Sequence, residues 1–113
     1  MKLTTSRAGQ ITVVEVGEKR LTYPILSDFA AAVTSLINGG DSRIVIDLSP
    51  VDYLDSATIG CLMDLYRQAV AANGAVKLAG VQKRVETMLT MTGAQNFLEV
   101  HANRASALAS FGG

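Results

Sequence analysis

The stretch RIVIDLSP, residues 43–50, constrains the fold more than any other part of the chain. Ile44, Val45 and Ile46 stand in a row, so a strand built from them cannot alternate between a buried and a wet face. It must be covered on both. That is the mark of an inner strand in a parallel sheet layered with helices. Parallel neighbours in turn need long, right-handed crossovers, usually helical, between consecutive strands.

The remaining sequence supplies such crossovers. ITVVEV, residues 11–16, is β-branched and lies between Gly9 and Gly17, which predicts a strand ending in a turn. A short extended piece is expected around Leu21. Over 24–38, Ile25, Phe29, Val33, Leu36 and Ile37 fall at helical spacing, with Pro24 suited to the first turn and Gly39 to the stop. A second helix is predicted over 56–73, with Ile59, Leu62, Met63, Tyr66, Ala69 and Val70 on one face and Gly74 as its stop. AVKLAGV reads as a strand, residues 82–92 as a helix with Val85, Met88 and Leu89 inward, FLEV as a last strand, and 104–111 as a terminal helix. The expected fold class is therefore α/β, a single domain over 1–113 whose mostly parallel sheet has about four or five strands and about four helices. Its core should hold Val45, Ile46, Ile59, Leu62, Leu78, Val85 and Leu89.

Composition narrows the function classes. Of the 113 residues 49% are hydrophobic and 18% charged, which suits a folded globular chain. Ten Lys and Arg balance ten Asp and Glu, with no basic stripe, so a nucleic-acid partner is not expected. No apolar run is long enough to span a bilayer and the start lacks a secretory h-region, so a cytoplasmic protein without membrane insertion is expected. The single cysteine, Cys61, cannot form an internal disulfide and falls in an apolar pattern.

Residues able to run catalysis are scarce. The one histidine, His101, has no evident partner in the sequence, which argues against a nucleophile and base pair and hence against an enzyme. One Cys and one His do not make a structural zinc set, and neither GxxxxGK[ST] nor GxGxxG occurs, so no metal and no cofactor are expected. Carboxylates gather once, at Asp47, Asp52 and Asp55, where turn and helix-start preferences explain them better than a cation site would.

Asp55 and Ser56 sit where a loop leaves the carboxyl end of the central strand and a helix begins, the edge at which open α/β sheets bind ligands and partners. Ser56 is in the position of a helix N-cap, which would use its hydroxyl to hold a first-turn N–H. The same hydroxyl could instead carry a phosphate. Local preferences alone favour the cap.

The run IVIDLSPVDYLDSATIGCL resembles the signature of the anti-sigma factor antagonist (STAS) family: a hydrophobic strand ending in Asp-Leu-Ser, a short loop, then Asp-Ser opening a helix. Gly74, Leu78 and Val81 match the family's next glycine turn and strand, and Thr92-Gly93 followed by Phe97 is similar to its Thr-Gly helix end and final strand. The resemblance spans about 11–100 and is strongest from Ile44 onward. It implies that Ser56, after Asp55, is phosphorylated by a partner that is both anti-sigma factor and serine-protein kinase. The unphosphorylated form would capture that partner, the phosphorylated form would release it, and a PP2C-type phosphatase would reset it. The family commonly has Asp-Ser-Ser-Gly-Leu-Gly; here the order is Asp55, Ser56, Ala57, Thr58, Ile59, Gly60, so Thr58 adds a second hydroxyl as a lesser candidate acceptor.

The resemblance also admits another role, a cytoplasmic STAS subunit of a membrane lipid or anion transport complex. For a partner surface, Asp52, Asp55, Ser56 and Thr58 form the expected rim. Cys61 and Leu65 widen the apolar arc of the second helix, either packing on a neighbouring helix or adding apolar surface to that rim.

Overall fold

The computed structural model describes residues 1–112. In chain order the elements are β1 (Leu3–Ala8), β2 (Ile11–Val16), β3 (Arg20–Leu21), α1 (Tyr23–Asn38), β4 (Arg43–Asp47), β5 (Tyr53–Leu54), α2 (Ser56–Ala71), β6 (Ala75–Ala79), α3 (Lys83–Thr92), a 3-10 turn (Ala94–Asn96), β7 (Val100–His101) and α4 (Arg104–Ala109). Five strands form the main sheet in the order β1-β2-β4-β6-β7, and β3 and β5 pair separately. Only β1 is antiparallel to its neighbour. The fold is α/β with four helices, and β4 is the middle strand.

The unbroken Ile44-Val45-Ile46 run has a direct cause. Ile44 and Ile46 join Val14, Val16, Val76 and Leu78 in the large cluster that packs against α1, α2 and α3. Val45 points the other way and joins Val13, Ala79 and Ala107 beneath α4. A strand with a helical layer on each side has no wet face, so neither face selects for polar residues. All seven expected core residues are buried.

The second layer is thin, and charged side chains fasten it. Arg104, at the start of α4, binds Asp47 Oδ2 at 2.7 Å and Glu15 Oε2 at 3.2 Å. At the other end of α4 the buried Lys77 ammonium donates to the Ser110 carbonyl at 3.1 Å, pairs with Glu99 at 3.0 Å and lies 4.3 Å from the Phe111 ring centre. A buried cation needs that many partners to offset its lost hydration.

The elements depart from expectation in several places, among them α4, which ends at Ala109 rather than 111, and β5, which was not expected. β1 was not foreseen, because LTTSRA is polar on both faces, as an exposed edge strand can be. α2 ends at Ala71 rather than 73, its exit made by Asn73 at φ 63°. Gly74 is not the helix stop; a side chain there would run into the Ser42 carbonyl, which accepts the next N–H, from Ala75 at 2.9 Å. FLEV is not the last strand. Gly93, left-handed at φ 78°, turns the chain into the 3-10 segment, so pairing with β6 begins only at Glu99, whose carbonyl accepts from Leu78 N at 2.9 Å. Phe97 is left 56% exposed.

Candidate functional site

The loop from β4 to α2 is pinned at each step. Leu48 and Val51 are buried, Val51 N–H donates to the Leu48 carbonyl at 2.8 Å, and Asp52 N–H donates to the Lys19 carbonyl at 2.8 Å. Tyr53 and Leu54 then pair in parallel with Arg20 and Leu21, which brings the starts of α1 and α2 together.

Asp55 occupies the junction and caps both helices. Its Oδ1 accepts Thr58 N–H at 2.9 Å in α2, and its Oδ2 accepts Tyr23 N–H at 2.8 Å, the first residue of α1. Thr22, the residue before α1, contributes no side-chain cap of its own. Burial alone would raise the Asp55 pKa, but hydrogen bonds from the Thr58 hydroxyl, the Tyr23 N–H and the Thr58 N–H outweigh it and lower the value below the ordinary 3.8. One ionised carboxylate thus sits at the positive ends of two helices.

Ser56 is therefore not the cap. It is the first residue of α2, exposed, and its hydroxyl has no hydrogen-bond partner among the described residues. Thr58 is the opposite case. It is fully buried, and its hydroxyl oxygen lies 2.7 Å from the Leu21 carbonyl and 2.6 Å from Asp55 Oδ1, so one hydrogen serves two acceptors. The expectation of a second acceptor hydroxyl at Thr58 is corrected by that burial.

The expected apolar surface is also relocated. Leu65 is buried in the main cluster, which removes it from the expected partner surface. Cys61 is half-buried and lines a groove of about 350 Å³ with Tyr23, Pro24, Leu26, Ser27 and Ala30, between α1 and α2. Burial, and then the nearby Asp64 charge, push its thiol pKa up, so it stays protonated. The apolar ground beside Ser56 lies on its other side. Tyr53, Ile59, Met88 and Met91 form a shallow groove of about 360 Å³ whose edge holds Asp55 and Ser56, and Met91 is 82% exposed. Sequence reasoning missed Met91 because it lies off the face of α3 that Val85 and Leu89 bury, where no core pattern singles it out, and only its exposure beside Ser56 marks it. Asp52 is half-buried in the same loop.

Asp47, Asp52 and Asp55 do not converge. Asp47 turns toward Arg104 and the Ser49 N–H, and among the described residues no group of three acidic, His or Cys side chains could hold a metal ion. His101 does have partners: Nδ1 lies 3.0 Å from Ser106 Oγ and Nε2 lies 3.2 Å from Glu99 Oε1. That clasp ties α4 to the sheet edge, away from Ser56.

The sequence model of the STAS domain family matches residues 2–107. The chain belongs to the STAS domain family. No curated protein matches it in sequence. Among solved structures, an anti-sigma-factor antagonist (STAS) domain protein from Planctomyces limnophilus superposes on this STAS domain with a TM-score of 0.89 at 18% identity, covering 98% of this chain and 98% of that one. The anti-sigma factor antagonist SpoIIAA in its unphosphorylated form gives 0.74 at 16% identity, covering 99% of each chain. The Bacillus cell fate determinant SpoIIAA in the phosphorylated form gives 0.74 at 14%, covering 97% of this chain and 99% of that one. A sulfate transporter family protein from Wolinella succinogenes gives 0.79 at 17%, covering 91% and 85%. Identities this low establish a shared fold. Among the described residues no helix is long and apolar enough to cross a membrane.

Proposed function

We propose that this STAS domain is an anti-sigma factor antagonist switched by phosphorylation of Ser56: unmodified, it captures an anti-sigma factor that is also its serine kinase, and phosphorylated, it lets go. The observation that carries the reading is the division of labour between Asp55 and Ser56. Asp55 does the capping, so the Ser56 hydroxyl is exposed and unbonded, on the rim of the Met88 and Met91 groove.

The chemistry of release follows from that position. A phosphoserine adds about −1.5 to −2 charges at neutral pH. In the free domain the phosphate stays in water at the positive end of α2, so the fold tolerates it. Against a partner it would lose water beside the Asp55 carboxylate, facing a surface shaped for a neutral hydroxyl. A penalty of about 2.8 kcal/mol weakens binding a hundredfold. Ser56, Asp55, Asp52 and the groove are the contact residues of this proposal, and Cys61, in the separate groove between α1 and α2, is not among them; a phosphatase of the PP2C type would return the hydroxyl. Mass spectrometry of the protein purified from its own cells tests it: phosphate at Ser56 and none at Thr58 is expected, and an unmodified Ser56 under every growth condition contradicts it.

A second reading has its own support. The likeness to a sulfate transporter family protein fits a STAS subunit of a membrane transport complex. Affinity purification separates the two, since recovery of a permease and transporter ATPase in place of a kinase would favour transport.

A further inference from the structure

We propose that β1 is the seam of a weak two-fold homodimer, in which two copies pair their β1 strands antiparallel and join their five-stranded sheets into one. β1 is an edge strand, in unbroken register with β2 over all six residues and without a bulge. It also lacks proline, and its middle residues, Thr4, Thr5 and Ser6, are short hydroxyl side chains exposed to solvent, so no helix overhangs the edge. The usual devices that blunt an edge are a bulge, a proline or a central charge. None is present in the middle of β1.

The hydrogen-bond pattern fixes the register of such a pairing. Lys2 O accepts from Gly17 N at 2.8 Å, and antiparallel ladders bond alternate residue pairs, so the even-numbered residues of β1 bond β2. The N–H and C=O groups of Leu3, Thr5 and Arg7 point outward, unpaired. Outward residues must meet outward residues, and the two-fold register centred on Thr5 does this: Thr5 faces Thr5 of the second copy, Thr4 faces Ser6, and Leu3 faces Arg7. Hydroxyl residues opposite one another are favourable cross-strand pairs. Charge selects the same register. It leaves the two Arg7 side chains four residues apart along the seam, about 13 Å, each already bound to Asp41 at 2.7 Å. Centring on Ser6 instead would bring the two arginines to diagonal contact. Growth beyond two copies is blocked, because the opposite edge, β7, has only Val100 and His101. A seam of one short strand is at the small end of stable interfaces, so association should appear at high concentration.

Sedimentation equilibrium of the full chain from about 10 µM to 1 mM tests this. The average mass should rise from 11.9 kDa toward twice that value. Thr5→Pro removes an outward N–H and spares the β2 ladder, so it should weaken association at least tenfold with the circular dichroism spectrum unchanged. Thr5→Cys in a Cys61→Ser background should cross-link through the two-fold axis when oxidised with diamide, because opposed bonded residues are about 5.5 Å apart at Cα. Arg7→Cys should not cross-link. A monomer at every concentration, or a dimer that Thr5→Pro leaves intact, overturns the proposal. Should Thr5→Pro unfold the chain, failure of Thr5→Cys to cross-link at concentrations where the native chain is dimeric overturns it equally.

Discussion

Asp55 is the residue on which the local structure of the site depends. It holds a first-turn N–H of α2 and the first N–H of α1, so its loss exposes donors on two helices. Asp55→Ala should cost about 1 to 3 kcal/mol, the sum of two ordinary caps. Ser56→Ala should change stability by less than about 0.5 kcal/mol, because Ser56 bonds nothing in the fold. Urea midpoints of the two variants check the contrast, and equal losses would return the cap to Ser56. Local preference in the sequence favours a cap at Ser56, and misplaces it by one residue because Asp and Ser are equally good caps and stand side by side. What decides between them is Tyr23, whose N–H draws the Asp55 carboxylate into the junction from 32 residues away. No local pattern carries that information.

At the scale of elements, α2 is central to both stability and site. Leu62 is fully buried between the sheet and the neighbouring helices, so Leu62→Ala should cost about 2 to 5 kcal/mol, read from a denaturant midpoint. An unchanged midpoint would contradict the packing. Met91 lies on α3 beside Ser56 and is exposed, so Met91→Glu should leave the melting temperature within about 2 °C while weakening capture of the proposed kinase partner at least tenfold. Unimpaired capture would remove this groove from the partner surface. The helices and inner strands were legible because burial imposes a period: 3.6 on α1, α2 and α3, and an unbroken run on β4. β1 has four exposed residues out of six and so carries no period to read. Cys61 and Leu65 looked alike in sequence, but Leu65 falls inside the main cluster while Cys61 lies on the wall of the groove between α1 and α2.

Across the whole molecule, carboxylates join parts that are distant in sequence. Asp47 links the central strand to α4 and Asp55 links two helices; for both, hydrogen bonds outweigh a burial effect that alone would raise the pKa. Glu99 is held low first by its hydrogen bond from Lys77. All three are lowered from ordinary values of 3.8, 3.8 and 4.5. Each therefore contributes stability that is complete above its ordinary value and is lost as pH falls through the lower, folded value. The melting temperature should be flat near neutrality and drop below about pH 4, and Asp55→Asn should flatten that drop. A melting temperature independent of pH down to about 2 would contradict these links. The proposed phosphate switch would use the same architecture, with the sheet presenting one free hydroxyl at a helix start. It is tested most directly by titrating the Ser56, Ser56→Ala and Ser56→Asp forms against the anti-sigma factor kinase with nucleotide present, each form first shown to be folded. The account predicts capture by the Ser and Ala forms, phosphate incorporation into the Ser form alone, and binding by the Asp form at least about a hundredfold weaker. Equal affinity for all three, with no phosphate at position 56, would contradict it.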